Sequence, residues 1–121
     1  LTMREFIAEM RSADLSSDYE QNFSEQCNLL LDLTDHIVNQ AEQDPEFPGS
    51  ISVDYLDLVG HVVCAWCWAL MASNATGDDF GIAKTITAQF FYERLLPRSL
   101  GLAENIRATT NFTMQMPAEL F

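Results

Sequence analysis

Basic residues are scarce in this chain of 121 residues: six Lys and Arg stand against 18 Asp and Glu, giving a formal net charge of -12. A nucleic-acid binder or a peripheral binder of anionic lipid shows the opposite footprint, because phosphate repels such a field. Both classes are therefore excluded as first readings. Glycine and proline are also sparse, at five and four residues, which excludes collagen-like and low-complexity chains. No stretch shows the alternation of a half-buried strand bounded by hairpin turns, and no repeat period stands out. The longest unbroken apolar run, Val62 to Ala72, falls short of the roughly 20 residues of a spanning helix, and no signal peptide is visible. There are only three cysteines. An odd number in a domain large enough for its own core is expected to be free thiols in a reducing compartment, here the cytoplasm. The sequons at Asn22, Asn74 and Asn111 carry little meaning in that setting.

What is present is hydrophobic periodicity. With 48% hydrophobic and 20% charged residues, the composition is that of a folded globular domain. Between Ser12 and Ala83 there is no Lys or Arg, and the acids from Asp14 to Asp79 read as a solvated face. Residues 1–16 read as the end of a connecting helix and linker, with Phe6, Ile7 and Met10 on its apolar side, and residues 17–121 as the bundle domain proper. Ser17, with Glu20 three residues on, is expected to cap and box the next helix. Its seam is Phe23, Cys27, Leu30, Thr34, Ile37 and Ala41, and Asp44-Pro45 ends it. A third helix from a Ser52 cap to about Asn74 is apolar all round and is expected to be covered on several sides. Within it Trp66 continues the line of Tyr55, Val59 and Val62 and is expected to face the interior, leaving Trp68 for another surface. The segment from Asp79 to Leu96 shows Phe80, Ala83, Ile86, Thr87, Phe90, Phe91 and Leu95 on one expected core face. Pro97 opens a last helix with Leu100, Ala103 and Ile106. The tail, Thr109 to Phe121, carries Phe112, Met114, Met116, Leu120 and Phe121 and is expected to dock on something. The expected fold is all-α: an antiparallel four-helix bundle with a short N-terminal helix and an apolar C-terminal tail.

Candidate chemistry is thin. Cys64 and Cys67 have the spacing of a redox pair, but such a pair needs a thiolate at an exposed helix N-terminus. In the middle of the most apolar helix, burial in the core is the expectation. His61, Cys64 and Cys67 form a ladder with no fourth ligand unless His36 supplies it, which argues against a metal site. Asp32 and Asp35 beside His36 read as surface decoration. Asp57 is expected at the exposed end of its helix or paired with an arginine. Arg94 and Arg98 are expected to pair with the acidic helices rather than to hold phosphate. No serine sits in a nucleophile elbow, and no glycine-rich phosphate loop is present. No catalytic, cofactor-binding or metal-binding residue is therefore expected.

Four stretches carry a resemblance: Tyr55-Leu56-Asp57-Leu58-Val59-Gly60, then Trp66-Cys67-Trp68-Ala69, then Ala83-Lys84 and Ala88 to Pro97. With the ending Met116-Pro117-Ala118-Glu119, they resemble the extra C-terminal helical domain of long acyl-CoA dehydrogenases, including the 3-methylmercaptopropionyl-CoA dehydrogenase type. The resemblance implies a parent enzyme in which FAD oxidises the Cα–Cβ bond of an acyl-CoA while a carboxylate removes the α-proton. It places flavin, CoA site and base in preceding domains, so none of those roles passes to a residue here. The implied role is a non-catalytic domain that packs on the catalytic domains of the same polypeptide and shapes a homo-oligomer. A start at Leu1, already inside a helical pattern, fits a segment of a longer polypeptide. The rival reading is a free-standing acidic module that holds a basic protein partner.

Overall fold

The structure, a computed structural model, describes residues 1–109 and 112–121, so the sequon at Asn111 lies outside the described residues. These residues are helical, with no strand among them, so the expected all-α bundle is the fold. α1 spans Met3–Arg11, α2 Ser17–Gln43, α3 the single turn Phe47–Ser50, α4 Ser52–Ser73, α5 Asp79–Phe90 and α6 Arg98–Arg107; α7, Phe112–Gln115, is one turn.

α1 starts on a capping box: the Thr2 hydroxyl accepts from the Glu5 N–H, and the Glu5 carboxylate accepts from the Thr2 N–H. Ile7 and Met10 are buried against α2 as their spacing predicts. On the outside, Arg4 pairs with Asp35, while Arg11 donates to the Asn28 side chain and the Ser24 carbonyl. The caps expected at Ser17 and Ser52 are displaced. Ser16 caps α2 by accepting from Asp18, and the Ser52 hydroxyl instead donates back to the Gly49 carbonyl. In both cases the preceding turn is already helical or cap-forming one residue early, so the serine is no longer at the boundary.

α2 buries Tyr19, Phe23, Cys27, Leu30 and Leu33, close to the expected seam. α4 packs against α2, α5 and α6 together. Its inner line is Leu58, Val62, Ala65 and Ala69, all fully buried. The Ser16 N–H donates to the Ser73 hydroxyl (2.8 Å), and the Thr34 and Tyr55 hydroxyls meet at 2.7 Å, which fixes α2 and α4 as antiparallel. Trp66 is therefore not the central residue. Trp66 and Trp68 are each half-buried, and Trp68 lies on the α5 flank, 5.6 Å from the Lys84 ammonium. The reason is size. An indole at the seam would hold the helices apart, whereas Ala65 and Ala69 let α4 approach its neighbours closely.

The connection from α5 to α6 is itself helical. Phe91–Leu95 forms a π turn, closed by the Leu96 N–H on the Phe91 carbonyl at 2.8 Å. Phe91, Leu96 and Pro97 all keep right-handed helical backbone. Pro97 has no N–H to give and its ring crowds the preceding turn, so the wider turn just before it is where the helix yields. The extra residue also turns the helix, so that Leu96 is fully buried and Leu95 only partly. Buried Tyr92 reaches from this turn to donate to the Ala65 carbonyl (2.8 Å), and its ring meets Tyr19 at 4.9 Å. Gly81, at the start of α5, is required by close approach: a Cβ there would sit 1.8 Å from the Thr76 carbonyl oxygen.

Two outcomes follow for stability. Leu58→Ala should lower unfolding free energy by about 2–5 kcal/mol, while Leu56→Ala, on the outer face, should stay within about 0.5 kcal/mol; urea melts of the two variants check it. Burial, with the Tyr19 and Cys27 charges adding to it, holds the Tyr92 phenol well above its usual 10.0. The neutral phenol is thus favoured in the folded chain, so this contribution is intact below pH 10.0 and is lost as pH rises beyond it. Stability measured from pH 8 to 11 should fall more steeply in the wild type than in Tyr92→Phe.

Candidate functional site

Every Asp and Glu from Asp14 to Asp79 is exposed or half-buried and none is buried, so the acids form the solvated face their pattern predicts. Asp57 is at the surface as expected, and its backbone carbonyl meets the His61 ring Nδ1 at 2.7 Å. Among the described residues no group of three or more His, Cys, Asp or Glu is placed to hold a metal. The His36 ring packs edge-on against Phe47, with Nε2 buried and lacking a hydrogen-bond partner, so it is not gathered with His61, Cys64 and Cys67. Asp32 and Asp35 are exposed, and Asp35 is used by Arg4. Arg94 and Arg98 are exposed too, and neither makes the expected ion pair among the described residues. Both stay in solvent, where an ion pair would gain little over hydration.

The cysteines overturn the core expectation. Cys27 is buried, but Cys64 and Cys67 are exposed, on the side of α4 opposite Leu58, Val62, Ala65 and Ala69. The same correction applies to α5. Its buried positions are Gly81 and Ala88, and the residues expected inside, Phe80, Ile86 and Phe90, are 71%, 61% and 56% exposed. Apolar periodicity marked a face correctly but could not say which of two apolar faces turns inward. The small residues do, because they permit the close contact with α4.

The surface therefore carries three apolar zones. On α5 these are Phe80, Ile82, Ile86 and Phe90; on α4, Val53, Leu56, Cys64, Cys67 and Met71; in the tail, Phe112, Met116, Leu120 and Phe121. The first two meet at a cavity of about 210 Å³ lined by Met71, Asn74, Ala75, Thr76, Phe80, Gly81 and Lys84. Lys84 lies between the Phe80 ring (5.0 Å) and the Trp68 ring (5.6 Å), so its charge rests on two π faces rather than on a carboxylate. Below it, Asp78 caps α5 by accepting from the Gly81 N–H (2.8 Å) and the Thr76 hydroxyl (2.8 Å). Those bonds hold its carboxyl below the ordinary range.

These residues do not fit a flavin. Two of the clefts are shallow and acid-lined, one by Ser17, Glu20 and Glu25, the other by Asp18, Tyr19 and Glu93, and would repel a pyrophosphate; a third, of about 300 Å³, is lined by Ala75, Thr76, Gly77, Ile82, Thr85 and Ile86 and offers a phosphate no cation. The apolar cavity is below the size range of cofactor pockets. α4 is long and apolar enough to cross a membrane, because Ser52–Ser73 extends the apolar run at both ends. Its contacts with α2, α5 and α6 are those of a bundle's central helix.

Such a fold defines a class: a helical domain with more apolar surface than its own bundle covers. Residues 2–117 match the family described as "Acetyl-CoA dehydrogenase C-terminal like". The chain belongs to that family, and its domain is an acyl-CoA dehydrogenase C-terminal domain. No curated protein and no solved structure matches it significantly.

Exposure makes the thiols a direct test of which α4 face turns outward. Two of the three thiols of the native chain should react with a chromogenic disulfide reagent at the rate of a small-molecule thiol. The third, Cys27, whose thiol is pushed up by burial and only partly relieved by Arg11, should react on unfolding. Cys64→Ser and Cys67→Ser should each remove one fast equivalent.

Proposed function

We propose that this domain is a non-catalytic appendage of a flavin-dependent acyl-CoA dehydrogenase that packs on the catalytic body and shapes the dimer. The observation that carries the reading is the row of Ile82, Ile86 and Phe90 along the outside of α5, held rigidly by a helix whose other side is locked to α4. Family membership supplies the nature of the partner: the catalytic domains of the parent enzyme. There FAD would take the hydride as the acyl Cα–Cβ bond is oxidised, in the cytoplasm. The 3-methylmercaptopropionyl-CoA dehydrogenase type is the subtype we favour, on the packing residues quoted above. No step of that chemistry is assigned to a residue of this chain.

The test is association in trans. The 121-residue chain, mixed with the separately produced catalytic portion of its parent, should form a complex, and the chain by itself should bind neither FAD nor acyl-CoA. Ile86→Asp and Phe90→Asp replace exposed side chains, so each variant should fold within about 0.5 kcal/mol of the wild type. Each should nevertheless weaken the complex at least about tenfold if these side chains are buried anchors. Full-strength association by both variants would sink the reading, and so would a yellow isolated chain after incubation with FAD.

A further inference from the structure

The outer face of α4 differs from that of α5. Val53, Leu56, Gly60, Cys64, Cys67 and Met71 recur at spacings of three and four, which sets them along one line on the side away from the core. One edge of this line carries Asp57, His61 and Trp68. Lys84 lies over the Trp68 ring. Neither Asp57 nor Lys84 has an ion-pair partner among the described residues.

We infer that this face is a contact between two copies of the domain, packed antiparallel α4 against α4 about a two-fold axis at the level of Val62. The spacing and the charges select this occupant. An axis there sets Val53 opposite the partner copy's Met71, Leu56 opposite its Cys67, and Gly60 opposite its Cys64. A two-fold axis lying across the helix keeps each lateral edge on its own side. The edge that carries Asp57 in one copy therefore meets the edge that carries Trp68 and Lys84 in the other. Each dimer thereby gains two carboxylate–ammonium pairs by symmetry, each joining an Asp57 and a Lys84 that have no ion-pair partner among the described residues of the monomer. Charge elsewhere favours the same choice. Two chains of net charge -12 repel over most of their surfaces, whereas no charged side chain stands along α4 from Val59 to Ser73. Beyond Gly60 there is open space, with nothing within 4 Å of a Cβ placed there, so a neighbouring backbone can come close at the crossing. This contact gives the dimer-shaping role its residues and rests on that reading; it does not use the α5 face assigned to the catalytic body.

The test is the association state of the chain by itself, so its failure leaves docking on the catalytic portion untouched. Sedimentation of the wild type over a micromolar-to-millimolar range should show a monomer–dimer equilibrium. Gly60→Leu should leave thermal stability equal or higher, since a side chain fits the space and favours helix, yet raise the dimer dissociation constant at least about tenfold. Asp57→Lys and Lys84→Glu should each weaken the dimer, and the double exchange should restore it. The two Cys64 residues would be offset by about 6 Å along the helices, and the two Cys67 by about 15 Å. A short bifunctional maleimide should therefore join dimers in Cys67→Ser and not in Cys64→Ser. A chain that stays monomeric throughout overturns the inference. So does a dimer indifferent to Gly60→Leu and to both charge reversals, or a monomer that instead sediments with phosphatidylcholine vesicles.

Discussion

The bundle depends on the close contact between α4 and the kinked helical segment that follows it. Ala65, Ala69 and Ala88 are all fully buried, and their small size lets two backbones approach until the Tyr92 hydroxyl can bond the Ala65 carbonyl. That single hydrogen bond joins the middle of α4 to the π turn. It sets the axial register at the point where the following helix bends. Much else follows from it. Leu58 and Val62 are fully buried, α6 packs on α4, and Gly81 comes against Thr76 at the far end. Trp66 and Trp68 lie on the flanks of this contact, and Phe80 and Phe90 outside it.

Sorting by size explains where sequence reasoning succeeded and where it failed. The helices themselves were legible, because proline, glycine and serine clusters bound each apolar-periodic run. The faces of α1 and α2 were legible too: each has one apolar side and one charged side, and only the apolar side can be buried. α4 and α5 have apolar residues on both sides, and there hydrophobicity alone does not choose. Periodicity points Trp66 inward and Phe80, Ile86 and Phe90 to the core, although alanine and glycine occupy the inner places. The signal that could have found the true inner faces was present as small residues at helical spacing: Gly81 and Ala88 on α5, Ala65 and Ala69 on α4.

For a candidate site the consequence is that the sequence pointed to the right helices and the wrong sides of them. Cys64 and Cys67 drew attention by their spacing, and Lys84 did not, although it ends up between Phe80 and Trp68. No one-dimensional pattern joins positions 68, 80 and 84; the turn after α4 does. The acids were simpler. A run without any cation has no local partner to bury with, so solvent is the only inexpensive place for it, and that is where it lies.

The π turn at Phe91–Leu95 makes this domain unusually sensitive to length as opposed to identity. It holds one residue more than an α-helical turn would, and every position after it is phased by that surplus. Removing one exposed residue of the turn, Glu93 or Arg94, would restore ordinary helical geometry locally. It would also rotate all of α6 by about 100°, carrying Ser99, Ala103 and Ile106 off the core together. Substitutions there act on one side chain each, while a deletion acts as a gear slipped by one tooth.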